Sequence, residues 1–314
     1  MPVYNGERFL AQAIESILAQ TFADFEFIIV DDGSRDRSAE IIRSYEARDE
    51  RIRFLRLERN AGESATRNHG IDAATGAYIA AMDCDDVSLP GRLEKQVNFL
   101  RANPEIGALG TSASLTDEDL KPYYTYAVPE RHAHIAYNIL LGRSVVGASL
   151  MIRRDILNAV GGYDPSRKRC CDIELISRLL CETGVANLPD SLYLYRMHDG
   201  QWGSTPKGRR YWAELKSRLL FRLWAEAPQA SLDRIVRVRG LEKINWLERR
   251  RVKRDIRRLI DSMIAAKWVT PDDRDFLFEV MNRQLERTSP RLWQMFCHWR
   301  RHHFGGNDRK VEYH

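Results

Sequence analysis

Over its first hundred residues the chain alternates short apolar runs with amphipathic segments, and two of the runs stop abruptly in aspartate. Phe27-Ile28-Ile29-Val30 leads into Asp31-Asp32-Gly33-Ser34, and Ala77-Tyr78-Ile79-Ala80-Ala81-Met82 leads into Asp83-Cys84-Asp85-Asp86. An uninterrupted apolar strand is buried on both faces, so its sheet needs helices on both sides. The intervening segments supply them. Phe9, Leu10, Ala13, Ile14, Ile17 and Leu18 follow helical spacing after Asn5, a candidate N-cap. Ala39, Ile41, Ile42 and Tyr45 predict a second helix, residues 63–74 a third, and the stretch from Pro90 to about Asn103 a fourth. Ile52 to Leu57 alternates apolar and charged residues and predicts a strand. This β-α-β-α rhythm specifies an α/β fold whose parallel sheet is flanked by helices. Ligands of such sheets bind beyond the carboxyl ends of the strands, where both aspartate clusters stand.

The 314 residues accommodate about two domains. With 44% apolar and 30% charged residues, the composition excludes a disordered chain, a fibrous repeat and a disulfide-rich miniprotein. No apolar stretch approaches the about 18 residues of a membrane span; the most apolar, Ile139 to Ile152, is interrupted by Arg143. Met1-Pro2-Val3-Tyr4-Asn5 lacks the basic-then-apolar order of a signal peptide. Five cysteines without a CxxC pair predict free thiols in a reducing compartment, hence a cytoplasmic location.

The net charge of +5 is unevenly divided. Residues 1–204 carry 23 Lys/Arg against 30 Asp/Glu, a net −7, whereas 205–314 carry 26 against 14, a net +12. All seven tryptophans lie at or beyond Trp202. The expected organisation is therefore a domain over 1–204 and a basic, Trp-containing helical extension over 205–314. In the extension, Leu241, Ile244, Leu247, Val252, Ile256, Leu259, Ile260 and Met263 form an apolar stripe. Arg249, Arg250, Arg251, Lys253, Arg254, Arg257 and Arg258 form the opposite face. Such a segment suits packing on the first domain or on another subunit. It also suits peripheral contact with an anionic membrane face, and suits nucleic acid less well.

Asp83-x-Asp85-Asp86 puts three carboxylates at one strand end. Carboxylates this close repel unless a cation sits between them, and hard oxygen ligands suit Mg²⁺ or Mn²⁺. A solvated acidic turn is the plainer reading of the same residues. Asp31-Asp32-Gly33-Ser34 reads equally as an acceptor for ribose or base groups and as an Asx-turn capping the next helix.

Taken together, the motifs have an order. Pro2-Val3-Tyr4-Asn5-Gly6, Ile29-Val30-Asp31-Asp32-Gly33-Ser34, Ala65-Thr66-Arg67-Asn68-x-Gly70 and Asp83-Cys84-Asp85-Asp86 come first. Gly161-Gly162-Tyr163-Asp164, Asp172-Ile173-Glu174-Leu175-x-x-Arg178 and Tyr195-Arg196-Met197-His198 follow. The series resembles the family 2 glycosyltransferases over roughly residues 1–200. That resemblance implies a GT-A (Rossmann-like) fold with a mixed, mainly parallel sheet. It also implies transfer of a sugar, with inversion, from a nucleotide-diphosphate sugar, UDP being the commoner nucleotide. The acceptor would be a hydroxyl on a saccharide or a lipid-linked saccharide, as in cell-surface polysaccharide or glycoconjugate assembly.

Carried over by position, Pro2 and Tyr4 would lie against the base. Asp31 would accept from the base N–H, Asp32 would lie beside it, and Arg67 would sit near the nucleotide. Asp83 would touch the ribose, and Asp85, Asp86 and His198 would hold the Mn²⁺ or Mg²⁺. Asp172 would be the catalytic base, and it also suits an N-cap of the next helix. Cys84 is expected to have no ligand role. Cys171 stands where the family pattern has glutamate, and Met1 stands where it has a preceding apolar strand, so the chain is expected to start late. A nucleotidyltransferase and an inactive nucleotide-sugar-binding module are the alternatives.

Overall fold

The structure is a computed structural model that describes residues 1–139, 144–167, 171–201, 246–265, 267 and 269–279. The chain divides into two compact units, Met1–Gln201 and Trp202–His314.

In the first unit, β1 (Pro2–Val3), β2 (Phe27–Asp31) and β3 (Ile52–Arg56) pair in parallel in that order. Every residue of β2 is buried, as an apolar run covered on both faces must be. The connections between these strands are α1 (Leu10–Leu18) and α2 (Ser38–Glu46). Helix α1 buries Leu10, Ala13, Ile14 and Ile17, the stripe that its spacing predicts. Each such large aliphatic side chain removed from water contributes about 1.5–3 kcal/mol. Asn5 is not the N-cap of α1, which starts at Leu10 after Phe9. It sits instead at φ 52°, and its side chain accepts the Arg35 N–H at 2.9 Å. That contact ties the 5–7 loop to the 34–38 loop.

A second, six-stranded sheet carries the rest. Its strands are β4 (Tyr78–Ala80), β5 (Val87–Ser88), β6 (Ile106–Thr116), β7 (Pro122–Tyr126), β8 (Met151–Arg153) and β9 (Gly184–Arg196). The order is β4-β8-β6-β9-β5, with β7 on β6. The pair β6–β9 is parallel and its neighbours are antiparallel, so the architecture is mixed α/β. The remaining helices are α3 (Glu63–Ala73), α4 (Arg92–Ala102), α5 (His132–Ile139), α6 (Arg154–Ala159) and α7 (Cys171–Glu182). A cavity of about 550 Å³ lies between the two sheets, walled by Met1, Pro2, Val30, Tyr78, Met82 and Arg92 among others.

In the second unit, α8 (Trp246–Ala265) buries Ile256, Ile260 and Met263 of the predicted stripe and exposes Lys253, Arg254, Arg257 and Arg258. Arg257 stacks on Phe278, 4.6 Å from the ring centre. Leu241 and Ile244 lie outside the described residues. Among the described residues, no helix is long and apolar enough to cross a membrane.

Candidate active site

Strand β4 ends at Ala80, and the chain then turns through Asp83-Cys84-Asp85-Asp86 into β5. Carboxylate oxygens of Asp83, Asp85 and Asp86 lie within 4.8 Å of one another. Asp86 is buried, and one of its oxygens accepts the Arg196 N–H at 2.8 Å. Burial pushes its carboxyl well above the ordinary carboxylate range, and the neighbouring charges of Asp85 and Asp83 push the same way. Asp83 shifts upward too, again mainly through burial, although the Arg67 guanidinium opposes the shift. Three carboxyl groups held this close, with Asp86 fully buried, are a site short of positive charge.

Two side chains, Arg67 and His198, face this trio. Arg67, on α3, reaches Asp83 at 2.5 Å and Glu63 at 3.0 Å and so bridges the two. His198, just past β9, places Nε2 3.0 Å from Asp85 Oδ2 and packs its ring on Phe9, centroids 5.0 Å apart. Arg196 fixes the geometry from behind. Its Nε donates to the Asp85 carbonyl at 2.7 Å, Nη2 to Gln12 at 2.7 Å, and Nη1 to the Glu118 carbonyl. The guanidinium lies 4.3 Å from the Phe9 ring centre. Cys84 packs its Sγ against the 4–6 loop, 3.1 Å from where a Cβ on Gly6 would stand.

Asp172 opens the first turn of α7, and its carboxylate takes the amide of Ile173. It is the second residue of α7, inside the helix and not its N-cap as the sequence suggests, and it serves the first turn from there. Its carboxyl is pushed up to about 6, mainly by burial and then by the charge of Glu63. Arg67 and Asp83 also act on it, which places it within electrostatic reach of the Arg67–Asp83 pair. Half-buried Tyr195 feels Asp86, Asp83, Asp85 and Asp172. Arg67, Asp83, Asp85, Asp86, His198 and Asp172 are thus gathered at one mouth.

The remaining predicted residues belong to other contact sets. Asp31 is fully buried. Its Oδ1 accepts the Ser34 N–H at 2.9 Å, three residues on where an Asx-turn reaches two, and it does not cap α2, which starts at Ser38 after Arg37. Its Oδ2 has no hydrogen bond among the described residues and stands 3.2 Å from the half-exposed Arg56 guanidinium. Asp32 spends both oxygens on backbone, accepting Ala61 N–H at 2.6 Å and Gly62 N–H at 3.1 Å. It thereby anchors the loop that opens α3. Tyr4 is 47% exposed, unusual for an aromatic ring, while Pro2 lines the cavity between the sheets.

Other motif residues build the scaffold. Glu174 and Arg178 form a two-pronged ion pair with contacts of 2.9 and 2.6 Å. Arg178 also donates to the Val160 and Gly162 carbonyls. Asn68 brackets the same turn, donating to Tyr163 O at 2.7 Å and accepting Tyr163 N–H at 2.9 Å. Gly162 stands at φ 67°, and a Cβ there would fall 2.8 Å from Asn68 Oδ1. Gly161 stands at φ 80° with open space around it. Gly161→Ala is therefore expected to cost about 1–2 kcal/mol of backbone strain, and Gly162→Ala distinctly more. Thermal unfolding of both variants reads the difference, and equal losses would mean that Asn68 gives way freely.

Sequence reasoning assigns no role to Arg196, Glu63 or Arg92, which the fold brings into use. Arg196 stands inside the Tyr195-Arg196-Met197-His198 motif. Arg92 is legible as a cation on the apolar face of its helix, in line with Gln96 and Leu100. It is fully buried, donates to Ala81 O at 3.1 Å and Ala148 O at 3.3 Å, and is depressed to about 10 by burial.

Comparison with known proteins gives consistent results. The sequence profile described as Glycosyl transferase family 2 matches residues 1–161. The uncharacterized glycosyltransferase MJ1057 of Methanocaldococcus jannaschii is 33% identical over 229 residues, 70% of this chain and 74% of that one. Staphylococcus aureus TarS 1-349, solved with UDP-GlcNAc, superposes with a TM-score of 0.56 at 15% identity, covering 94% of this chain and 90% of that one. The mannosyltransferase PcManGT of Pyrobaculum calidifontis, solved with GDP-Man and Mn²⁺, gives 0.53 at 14% identity, covering 95% and 83%. These two structures share the fold of this chain.

Proposed function

The chain belongs to glycosyl transferase family 2, and from that premise we propose that its acidic mouth binds a nucleotide-diphosphate sugar, a UDP-sugar first, and transfers the sugar with inversion to a saccharide hydroxyl. The observation that carries the reading is the Asp83–Asp85–Asp86 trio, with His198 on Asp85, in electrostatic reach of a carboxyl poised near 6.

The exposed Tyr4 ring offers a stacking face to the base. Asp31 Oδ2, buried without a hydrogen bond, is the acceptor assigned to the base N–H, and Arg56 has to swing aside to admit it. Asp83, held by Arg67, faces the ribose. The residues fit a hard divalent cation, because three clustered oxygen donors that repel one another are relieved by one. Asp85, Asp86 and His198 would hold it, with Mn²⁺ or Mg²⁺ as candidates. When bound, it supplies positive charge to the departing diphosphate.

Asp172 accepts the proton of the acceptor hydroxyl as that oxygen attacks the anomeric carbon. The bond to the diphosphate oxygen breaks on the opposite face, so one displacement inverts the centre. At neutral pH a carboxyl near 6 is ionised, yet basic enough to take the proton. Catalysis is assigned to residues 1–204.

The test is nucleoside diphosphate release from UDP-glucose, UDP-GlcNAc and GDP-mannose, each with Mn²⁺, with Mg²⁺ and with EDTA. The expected result is turnover of one donor, lost with EDTA. Metal-dependent binding of a donor without release, even with saccharide acceptors present, would instead support an inactive binding module.

A further inference from the structure

Resting on the reading of Asp172 as the base, we propose that Gly147 is the positioning residue that seats it: the side chain missing at 147 is the space the Asp172 carboxyl occupies. Gly147 opens a short 3₁₀ turn, Gly147–Ser149, ahead of β8. Its φ is not among the left-handed values, so the backbone there makes no demand for glycine. The demand is for room. A Cβ on residue 147 would stand 2.5 Å from Asp172 Oδ2, 2.6 Å from its Cβ and 3.0 Å from its Cγ. Non-bonded carbon and oxygen atoms do not approach so closely, so an added methyl forces one partner to move.

The turn is the partner that cannot. Arg92 donates to the Ala148 carbonyl at 3.3 Å, and Gln96 donates to the Ser149 carbonyl at 2.9 Å. Ser149 Oγ accepts the Thr111 N–H at 3.0 Å and donates to Val146 O at 2.8 Å. Arg92, Gln96, Thr111 and Ser149 are all fully buried. Moving the turn would break buried hydrogen bonds to α4 and β6, each costly to leave unmade. The Asp172 carboxyl is held more lightly, by the Ile173 amide, and its Cβ moves only with the first turn of α7, so relief of the clash shifts that turn and carries the carboxylate with it. A side chain at 147 therefore displaces the carboxylate. A general base acts only within hydrogen-bond reach of the proton it removes, and a displacement of about 1 Å can cost on the order of 100-fold.

The experiment uses the full chain and a donor that the wild type turns over. Gly147→Ala is expected to lower kcat by about 10- to 100-fold. Donor KM and the affinity for UDP with Mn²⁺ should stay unchanged, since neither depends on the base. In an Asp172→Asn background the same substitution should add no further loss. Should Gly147→Ala prove too unstable for kinetics, its loss of melting temperature should vanish in an Asp172→Gly background, where the clash is gone. Wild-type kcat in Gly147→Ala, a kinetic loss that persists in full over Asp172→Asn, or a stability loss that persists over Asp172→Gly overturns the inference. If Asp172→Asn itself turns over normally, the base assignment falls and this inference falls with it. If Asp172→Asn is inactive and Gly147→Ala is normal, only this inference falls.

Discussion

Replacing Asp172 by asparagine is expected to cut kcat by roughly 10²- to 10⁴-fold, the usual contribution of a positioned general base, and to leave a protein that is more stable than the wild type at neutral pH. The two effects share one cause. Asparagine keeps the shape of the side chain and its contact with the Ile173 amide, but it cannot take a proton. The wild-type carboxyl is raised from its ordinary 3.8 to about 6, chiefly because burial disfavours its charge. A raised carboxyl binds a proton more tightly in the folded than in the unfolded chain. Folding stability therefore falls as pH rises from about 4 to 6 and stays lower above that window. Asparagine is neutral throughout and escapes the loss. Below pH 4 the two proteins should melt alike. Above pH 6 the variant should be more stable by on the order of 1–3 kcal/mol, since each tenfold difference in proton affinity between the folded and unfolded chain is worth about 1.4 kcal/mol. The same titration gives kcat an acidic limb near pH 6, because protonated Asp172 accepts nothing. Paired melting curves at pH 4 and pH 8, with kcat across that range, check every part. A variant that melts below the wild type at pH 8 would show that Asp172 is a structural anchor instead of a strained base.

Much of this site is legible in the sequence because its elements are local. A buried strand ending in acid, such as Phe27–Asp31, announces itself in five residues. The spacing of the acids at 83, 85 and 86 and the cation at 67 can likewise be read along the chain. What pairs with what is not local. Strands β6 and β9 lie parallel although about eighty residues separate them, and nothing in either sequence names the other. Asp32 shows the same limit. An acid at a strand end reads as a ligand acceptor, yet folding brings the amides of Ala61 and Gly62 to it and uses both oxygens. Asn5 reads as a cap, and the loop of residues 34–38 claims it instead. Gly147 is the extreme case. Its significance is a distance to a residue 25 positions away, and glycine in a turn gives no local sign of that.

Asp85→Asn is expected to reverse the response of the protein to divalent cations. In the wild type three carboxylates cluster at one turn, and the burial of Asp86 makes their mutual repulsion expensive. Removing one charge relieves that repulsion, so in EDTA the variant should melt above the wild type. With Mn²⁺ the order should invert. A ligand at about 100 times its Kd stabilises the folded state by roughly 2.7 kcal/mol, and in a chain of this size each kcal/mol raises Tm by about 2–4 °C. The wild type should gain several degrees and the variant little, because Asp85 is the acid that His198 contacts and the least enclosed by other hydrogen bonds. Arg196 holds the Asp85 carbonyl rather than its carboxylate, so the loop itself should keep its path in the variant. Activity should fall with the cation. Stabilising the charge of a departing diphosphate is worth a few kcal/mol, and tenfold in rate corresponds to about 1.36 kcal/mol, which sets the loss at about 10²- to 10³-fold. Differential scanning fluorimetry with EDTA and with Mn²⁺ reads the crossing directly. Equal Mn²⁺ shifts in both proteins would place the cation elsewhere and leave the trio as an acidic turn held by Arg67 and Arg196. A crossing without loss of turnover would keep the cation site and remove it from the chemistry, because the charge it brings would then not be the charge the leaving group needs.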